Sequence, residues 1–238
     1  MLCLDAVAHG GNPQDRAASL RVDRRYRRRG LSKLLDAHTN KYLSQVNVPI
    51  LRYCVYSDNE TMLKVISQRG DKKLDSYSLY KAEPIASDTN QLIQLNLKNF
   101  DDIWSLIIRN DLLDNKQTFY TKLITTCQSI NPDLLKECLL GGKVFGLIQN
   151  EKLRGIAIQS YSELSEEEFY IGYLHGEPEI LTVLLCELCK LAYSLGKSVV
   201  KGLFPLNDSF GNALSQAAFQ RINQAEIGIY RSSLKINS

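Results

Sequence analysis

One order of elements occurs twice in this chain, and that constrains its fold more than any other feature. The first occurrence runs from an apolar segment at Ala17 to Val22 through an arginine-rich loop into a helical pattern starting at Leu31. A β-rich segment follows at Ile50 to Tyr56, then a short amphipathic helix from Glu60 to Arg69 closed by Gly70, and a strand at Leu74 to Tyr80. The second occurrence has a strand at Phe169 to Leu174, a loop, a helix from Ile180 to Leu195, and a strand at Ser198 to Phe204. A short helix from Asn212 to Gln220 and a strand at Ile227 to Leu234 complete it. The punctuation agrees as well: Tyr56-Ser57-Asp58-Asn59 and Phe204-Pro205-Leu206-Asn207 each place an asparagine just past a strand and before a helix. Such a repeat reads as a diverged internal duplication. Strands alternating with helices make the fold class α/β with a mixed central sheet.

The rest of the chain fits around the two copies. Leu2 to Ala8 and Ala17 to Val22 flank the turn chemistry of His9-Gly10-Gly11-Asn12 and read as a hairpin. Residues 83–90 are polar, contain Pro84 and break both periodicities, so they are the expected linker between a unit at 1–82 and one at 91–238. In front of the second copy stand two helical stretches, Asp101 to Leu113 and Thr118 to Ile130. Strands follow at Val144 to Gln149 and Leu153 to Ser160, with a turn at Asn150 to Lys152. The first copy lacks these front elements.

Composition narrows the classes further. With 238 residues, 44% hydrophobic and 23% charged, the chain is an ordinary globular sequence, neither disordered nor fibrous. No apolar run approaches the roughly 20 residues that cross a bilayer, and Met1 to Ala8 has neither the basic lead nor the length of a secretory signal. The expected compartment is the cytoplasm, with the nucleus as the other possibility, and no membrane partner is expected. Cys3, Cys54, Cys127, Cys138, Cys186 and Cys189 are irregularly spaced, unlike a disulfide framework, and are expected as reduced and mostly buried thiols.

A net charge of +3 is too small to argue for nucleic acid, but Arg21, Arg24, Arg25, Arg27, Arg28 and Arg29 crowd together opposed only by Asp23. Few aromatics are interleaved to stack bases, so a nucleic-acid partner is not expected. The cluster instead lies between a strand and a helix, as Arg27-Arg28-Arg29-Gly30-Leu31-Ser32. Backbone N–H groups and the helix dipole converge there, which suits a pyrophosphate. Gly30 lets the backbone approach, Ser32 is small, and the guanidinium groups add charge.

At Ser19 to Leu35, SLRVDRRYRRRGLSKLL, the strand, loop and helix resemble the acetyl-CoA motif of the GCN5-related N-acetyltransferases, (Q/R)-x-x-G-x-(G/A). Asn59 and Gly70 match that family's later asparagine-led helix. The surrounding sequence looks most like the animal group that includes histidine N-acetyltransferase. The resemblance implies that backbone groups of Leu20, Arg21 and Val22 hold the thioester and pantetheine. It implies that Arg27, Arg28, Arg29, Gly30, Leu31 and Ser32 hold the pyrophosphate and that Asn59 contacts the pantetheine from the other side. It also implies acetyl-CoA as cosubstrate, no metal, and a small amine as acceptor, amino acids included. The amine would attack the thioester directly while backbone N–H groups stabilise the oxyanion.

Several residues depart from the family pattern. Ser32 replaces a glycine or alanine, Ile66 stands where many members carry the tyrosine that protonates the leaving thiolate, and Asp71 replaces a phenylalanine. No carboxylate serves as base on the central strand, and the front strands and helices that shape an acceptor pocket are missing from residues 1–22. The chain is then either an incomplete gene product or a CoA binder with a compromised acceptor side. In the second copy, His175-Gly176-Glu177-Pro178-Glu179 occupies the place of the arginine loop. Its carboxylates repel a pyrophosphate and Pro178 removes a donor, so no CoA is expected there. Cys186-Glu187-Leu188-Cys189 reads as helix packing, His38 as a packed core residue on its helix, and His9 and His175 as loop residues.

Overall fold

The computed structural model describes residues 31–45, 50–108, 119–123, 126–160, 166–222 and 226–233. Its clearest local feature is a pair of matched helix caps. Helix α2 (Glu60–Arg69) is opened by Asn59, whose side chain accepts from Met62 N at 3.1 Å. It is closed by Gly70 in the left-handed conformation, φ 70°. Helix α6 (Asp208–Gln216) is opened by Asn207, which accepts from Phe210 N at 3.0 Å, and is followed by Ala218 at φ 58°. The closing bonds match too: Asp71 N donates to Ile66 O, and Phe219 N to Leu214 O. Asparagine satisfies an orphan N–H at a helix start, and a left-handed residue turns the chain at its end.

These counterparts, Asn59 and Asn207, Ile66 and Leu214, Gly70 and Ala218, are all 148 residues apart. The other elements follow the same spacing. Helix α1 (Leu31–Gln45) corresponds to α5 (Pro178–Ser194), and strand β1 (Ile50–Tyr56) to β9 (Val199–Pro205). Strand β2 (Lys72–Ala82) corresponds to β10 (Gln220–Arg221) together with β11 (Ile227–Ser233). The chain therefore carries two copies of one α/β arrangement.

Between the copies stand β3 (Leu92–Gln94), a 3-10 turn at Leu97–Asn99, α3 (Phe100–Ile108), β4 (Phe119–Leu123), β5 (Thr126–Ser129), α4 (Pro132–Leu140), β6 (Val144–Gln149) and β7 (Lys152–Ser160), and β8 (Glu168–Gly176) is the first strand of the second copy. The chain divides into two compact units. One holds residues 1–55, 59–74 and 228–238, and the other 56–58 and 75–227.

In the larger unit a mixed sheet runs in the order β2-β9-β8-β7-β6-β3. All neighbours are antiparallel except β8 and β9, which are parallel. Helices α5 and α6 cover one face, where Phe169, Ile171, Leu174, Leu181, Leu184, Leu188, Phe204 and Phe210 are fully buried. Helices α3 and α4 cover the other, around Ile103, Leu135, Ile156, Ile158 and Tyr173. In the smaller unit Val55, Ile66 and Tyr230 form a buried cluster with Met62 and Leu63 against it.

Four expectations are corrected. The helix expected at Thr118 to Ile130 is the β4–β5 hairpin, because Tyr120 and Thr121 bury themselves against β7 and β8 and favour extended backbone. A helix starts only at Pro132, where Asn131 caps Leu134 N at 2.9 Å and proline fits the first turn. The last short helix starts at Asp208, four residues earlier than Asn212. His38 is exposed, as are Leu34 (66%) and Tyr42 (54%), so this stripe of α1 is not a buried face. His175, expected in a loop, lies fully buried within β8.

Residues 83–91 run along α5. Ile85 N donates to Cys189 O, Asn90 Nδ2 to Glu187 O, and Gln91 N to the Glu187 carboxylate at 2.7 Å. Glu187 is 2% exposed and also accepts from Lys190 at 2.7 Å. Replacing it with alanine strands the Gln91 N–H and is expected to cost about 2–3 kcal/mol, a unit or so of urea at the unfolding midpoint. Chemical denaturation of Glu187→Ala checks this, and an unchanged midpoint refutes it. The neighbouring cysteines pack as expected. Cys189 is fully buried, and burial pushes its thiol up to about 12.

Candidate functional site

The two copies differ most at the junction between their first strand and long helix. In the second copy β8 ends at Gly176 and α5 starts at Pro178, so Glu177 alone connects them. A one-residue connection cannot wrap a phosphate. Glu177 takes the N-cap position and pairs its carboxylate with Arg154, and Glu179 lies in the first helical turn. The positive end of this helix dipole therefore faces the protein's own carboxylates.

Beyond that junction the larger unit retains a fork in its sheet. Pairing of β8 with β9 extends from Glu168–Val199 only to Ile171–Gly202, and past it the two strands are no longer paired. A bulge marks the same place. Ile158 of β7 faces Tyr173 while Gln159 faces Ile171, which leaves Gly172 as the extra residue. Such a fork exposes backbone groups to a ligand only if nothing else fills it.

Here protein fills it from both faces. On the α5–α6 side Phe204 stacks on Phe210 at 6.2 Å and meets Phe219 edge-on at 5.9 Å. The two helices touch where Thr182 Oγ1 donates to Gln216 at 3.1 Å. On the other side the β4–β5 hairpin lies on the bulge: Thr121 Oγ1 donates to Gly172 O and Tyr120 Oη to Ser160 Oγ, both at 3.1 Å. A Cβ on Gly172 would stand 2.6 Å from the Tyr120 ring and 2.9 Å from Thr121 O. Gly172→Ala should accordingly destabilise by about 1–3 kcal/mol through overpacking, readable as a lower melting temperature, and an unchanged one would show that the hairpin yields. Tyr170 and Tyr173 lie buried on β8, and desolvation pushes both phenols well up, so they stay neutral at physiological pH.

The corresponding residues of the first copy are those the sequence singles out. Leu20, Arg21, Val22, Arg27, Arg28, Arg29 and Gly30 lie outside the described residues. Leu31 and Ser32 are the first two described residues and lie in α1. Asn59 is exposed at the start of α2 with its Oδ1 engaged as the cap. Ile66 is 4% exposed and packs among Val55 and Tyr230, so this position presents an aliphatic core residue. Among the described residues no group of three or more potential ligands could hold a metal, and no helix is long and apolar enough to cross a membrane.

The forked mixed sheet, the bulge at the fork and the helix that follows the first forked strand define a known class of architecture. The chain has the fold of the GCN5-related N-acetyltransferases. It is similar to a GCN5-related N-acetyltransferase from Sphaerobacter thermophilus with a TM-score of 0.62 at 10% identity, over 90% of this chain and 71% of that one. It is also similar to a tandem GNAT protein from the clavulanic acid biosynthesis pathway, with a TM-score of 0.59 at 12% identity, over 92% of this chain and 75% of that one. A third likeness is to Saccharomyces cerevisiae N-myristoyltransferase solved with myristoyl-CoA, with a TM-score of 0.53 at 13% identity, over 90% and 59% of the two chains. No protein-family model matches the sequence, and no curated protein matches it in sequence.

Proposed function

We propose that this chain is an acetyl-CoA-dependent N-acetyltransferase that transfers acetyl to a small amine, with free amino acids the first acceptors to try, and that its single CoA site lies in the first copy. One observation carries the reading: in the first copy the run Arg27 to Gly30 leads in sequence into α1, whereas the equivalent junction of the second copy is a single glutamate. The first junction offers an anion arginines and a helix behind them, whereas the second offers carboxylates. In this reading residues 1–82 supply the CoA site, 83–90 link, and 91–238 form the diverged second unit. Backbone groups of Leu20, Arg21 and Val22 hold the thioester, Arg27 to Ser32 the pyrophosphate, and Asn59, through its amide nitrogen, the pantetheine. The cytoplasm, where acetyl-CoA is available, suits this reaction. The resemblance to histidine N-acetyltransferase-like proteins puts histidine on the acceptor panel.

A second reading, a CoA-binding protein without useful turnover, is favoured by Ile66, which fills its place in the core instead of offering a hydroxyl. Calorimetry with CoA tests what both readings share. About one site per chain is the expected result. Two sites would mean that the acidic junction at Glu177 also binds, and none would remove both readings.

A further inference from the structure

The two copies do not keep their own last strands. Within the larger unit, β2 pairs with β9 through six consecutive residue pairs, from Tyr77–Pro205 to Ala82–Val200. Strand β2 follows α2 of the first copy, and β9 precedes α6 of the second, so the second copy is completed by the first. Tyr80 lies 6.2 Å from the Phe204 ring, and Ala82 is buried in the cluster that holds Phe204, Phe210 and Leu214. Strand β11 is the last strand of the second copy, yet from Gly228 onward it belongs to the smaller unit, where it neighbours β1. There Tyr230, the counterpart of Ala82, is buried against Val55 and Ile66.

From this reciprocity we infer that the two copies exchange their final strands, and that the proposed CoA half is completed by the C-terminal strand, with Tyr230 as the residue that seats α2. This rests on the reading above, because Asn59 is useful to a pantetheine only if α2 is held in place. The chain of contacts is short. Tyr230 packs on Ile66, Met62 and Leu63 flank that cluster, and Met62 N is the group that Asn59 caps. Tyr230 also folds over Gly228, where an added Cβ would come within 2.6 Å of its ring. Its position therefore depends on that glycine. A polar cap at one end of α2 is thus tied to an aromatic residue contributed from the far end of the sequence.

The experiment uses the full chain in two arms. In the first, Lys81→Cys and Lys201→Cys are combined on strand partners near the sheet surface, and a protease site is inserted between the exposed Asp88 and Thr89. Oxidation of the folded protein followed by cleavage is expected to leave the two fragments covalently joined on a non-reducing gel. Should this pair fail to form, Leu79→Cys with Leu203→Cys, also partners, is the second variant. Separate fragments from both variants overturn the exchange. In the second arm CoA affinity is measured by calorimetry. Tyr230→Ala is expected to weaken CoA about tenfold or more while Tyr230→Phe, which keeps the ring, restores it. Leu135→Ala, a destabilising change in the core of the larger unit, should leave the affinity unaltered. Wild-type binding with unchanged affinity in a folded Tyr230→Ala protein overturns the role of Tyr230. Absence of wild-type binding overturns the CoA reading itself and leaves the exchange to be judged by the first arm.

Discussion

A folded Gly30→Glu protein is expected to bind CoA about a hundredfold or more weakly than the wild-type chain, the equivalent of losing two charge-assisted hydrogen bonds to a pyrophosphate. Two effects act together. In the proposed site a side chain at residue 30 would stand where the backbone must approach the phosphates, and a carboxylate added there would compete with them for the helix dipole. The second copy displays the end state of such a change, since Glu177 takes the N-cap position of α5 there and pairs with Arg154. Calorimetry on the variant, with circular dichroism to establish folding, is the measurement. Unaltered affinity in a folded Gly30→Glu protein removes the arginine loop from the proposed site.

Acetyl transfer by the wild-type chain is expected to run below roughly 1 per second with every free amino acid or small amine, under the ordinary enzyme range. Ile66 is the first cause. Its side chain is in the buried cluster with Val55 and Tyr230, so no hydroxyl protonates the leaving thiolate from that position, a loss typically worth about 10² to 10⁴ in rate. The acceptor side is the second. In the second copy the fork that the front strands and helices face is filled by the β4–β5 hairpin and by Phe204, Phe210 and Phe219. Acceptor positioning is worth more than one proton transfer, so its loss is the larger penalty. Release of CoA is followed with a panel that includes histidine, against an acetyl-CoA hydrolysis blank. Turnover at or above that rate with any one amine would show that an acceptor pocket is assembled after all.

The duplication was legible because its markers are local. An asparagine that accepts from the N–H three residues ahead and a left-handed residue after the helix act over a single turn, so Asn59, Gly70 and Asn207 announce themselves without tertiary context. The periodicities of α1, α5 and the strands from β6 to β9 are legible for the same reason. The β4–β5 hairpin was not, since its apolar residues also suit a helix and only burial of Tyr120 and Thr121 against β8 selects strand. The helix that follows begins only at Pro132, behind its Asn131 cap. His38 shows the reverse error: a helical stripe marks which residues share a face, while burial depends on what packs there.

Two decisions belong to the tertiary structure alone. Closure of the fork between β8 and β9 depends on aromatic residues from β9, α6 and the chain beyond it, and on a hairpin some fifty residues upstream in Thr121 and Gly172. Strand exchange depends on which edge β2 meets, because β2 offers the same backbone donors and acceptors to β9 as to any other strand. Sequence thus determined the elements other than the β4–β5 hairpin, their repetition and the difference in charge between the two junctions, all of which act through neighbours in the chain. Partner choice between alike strands is settled by side chains far apart in sequence, Tyr80 against Phe204 and Tyr230 against Ile66, and those contacts exist only once the chain has folded.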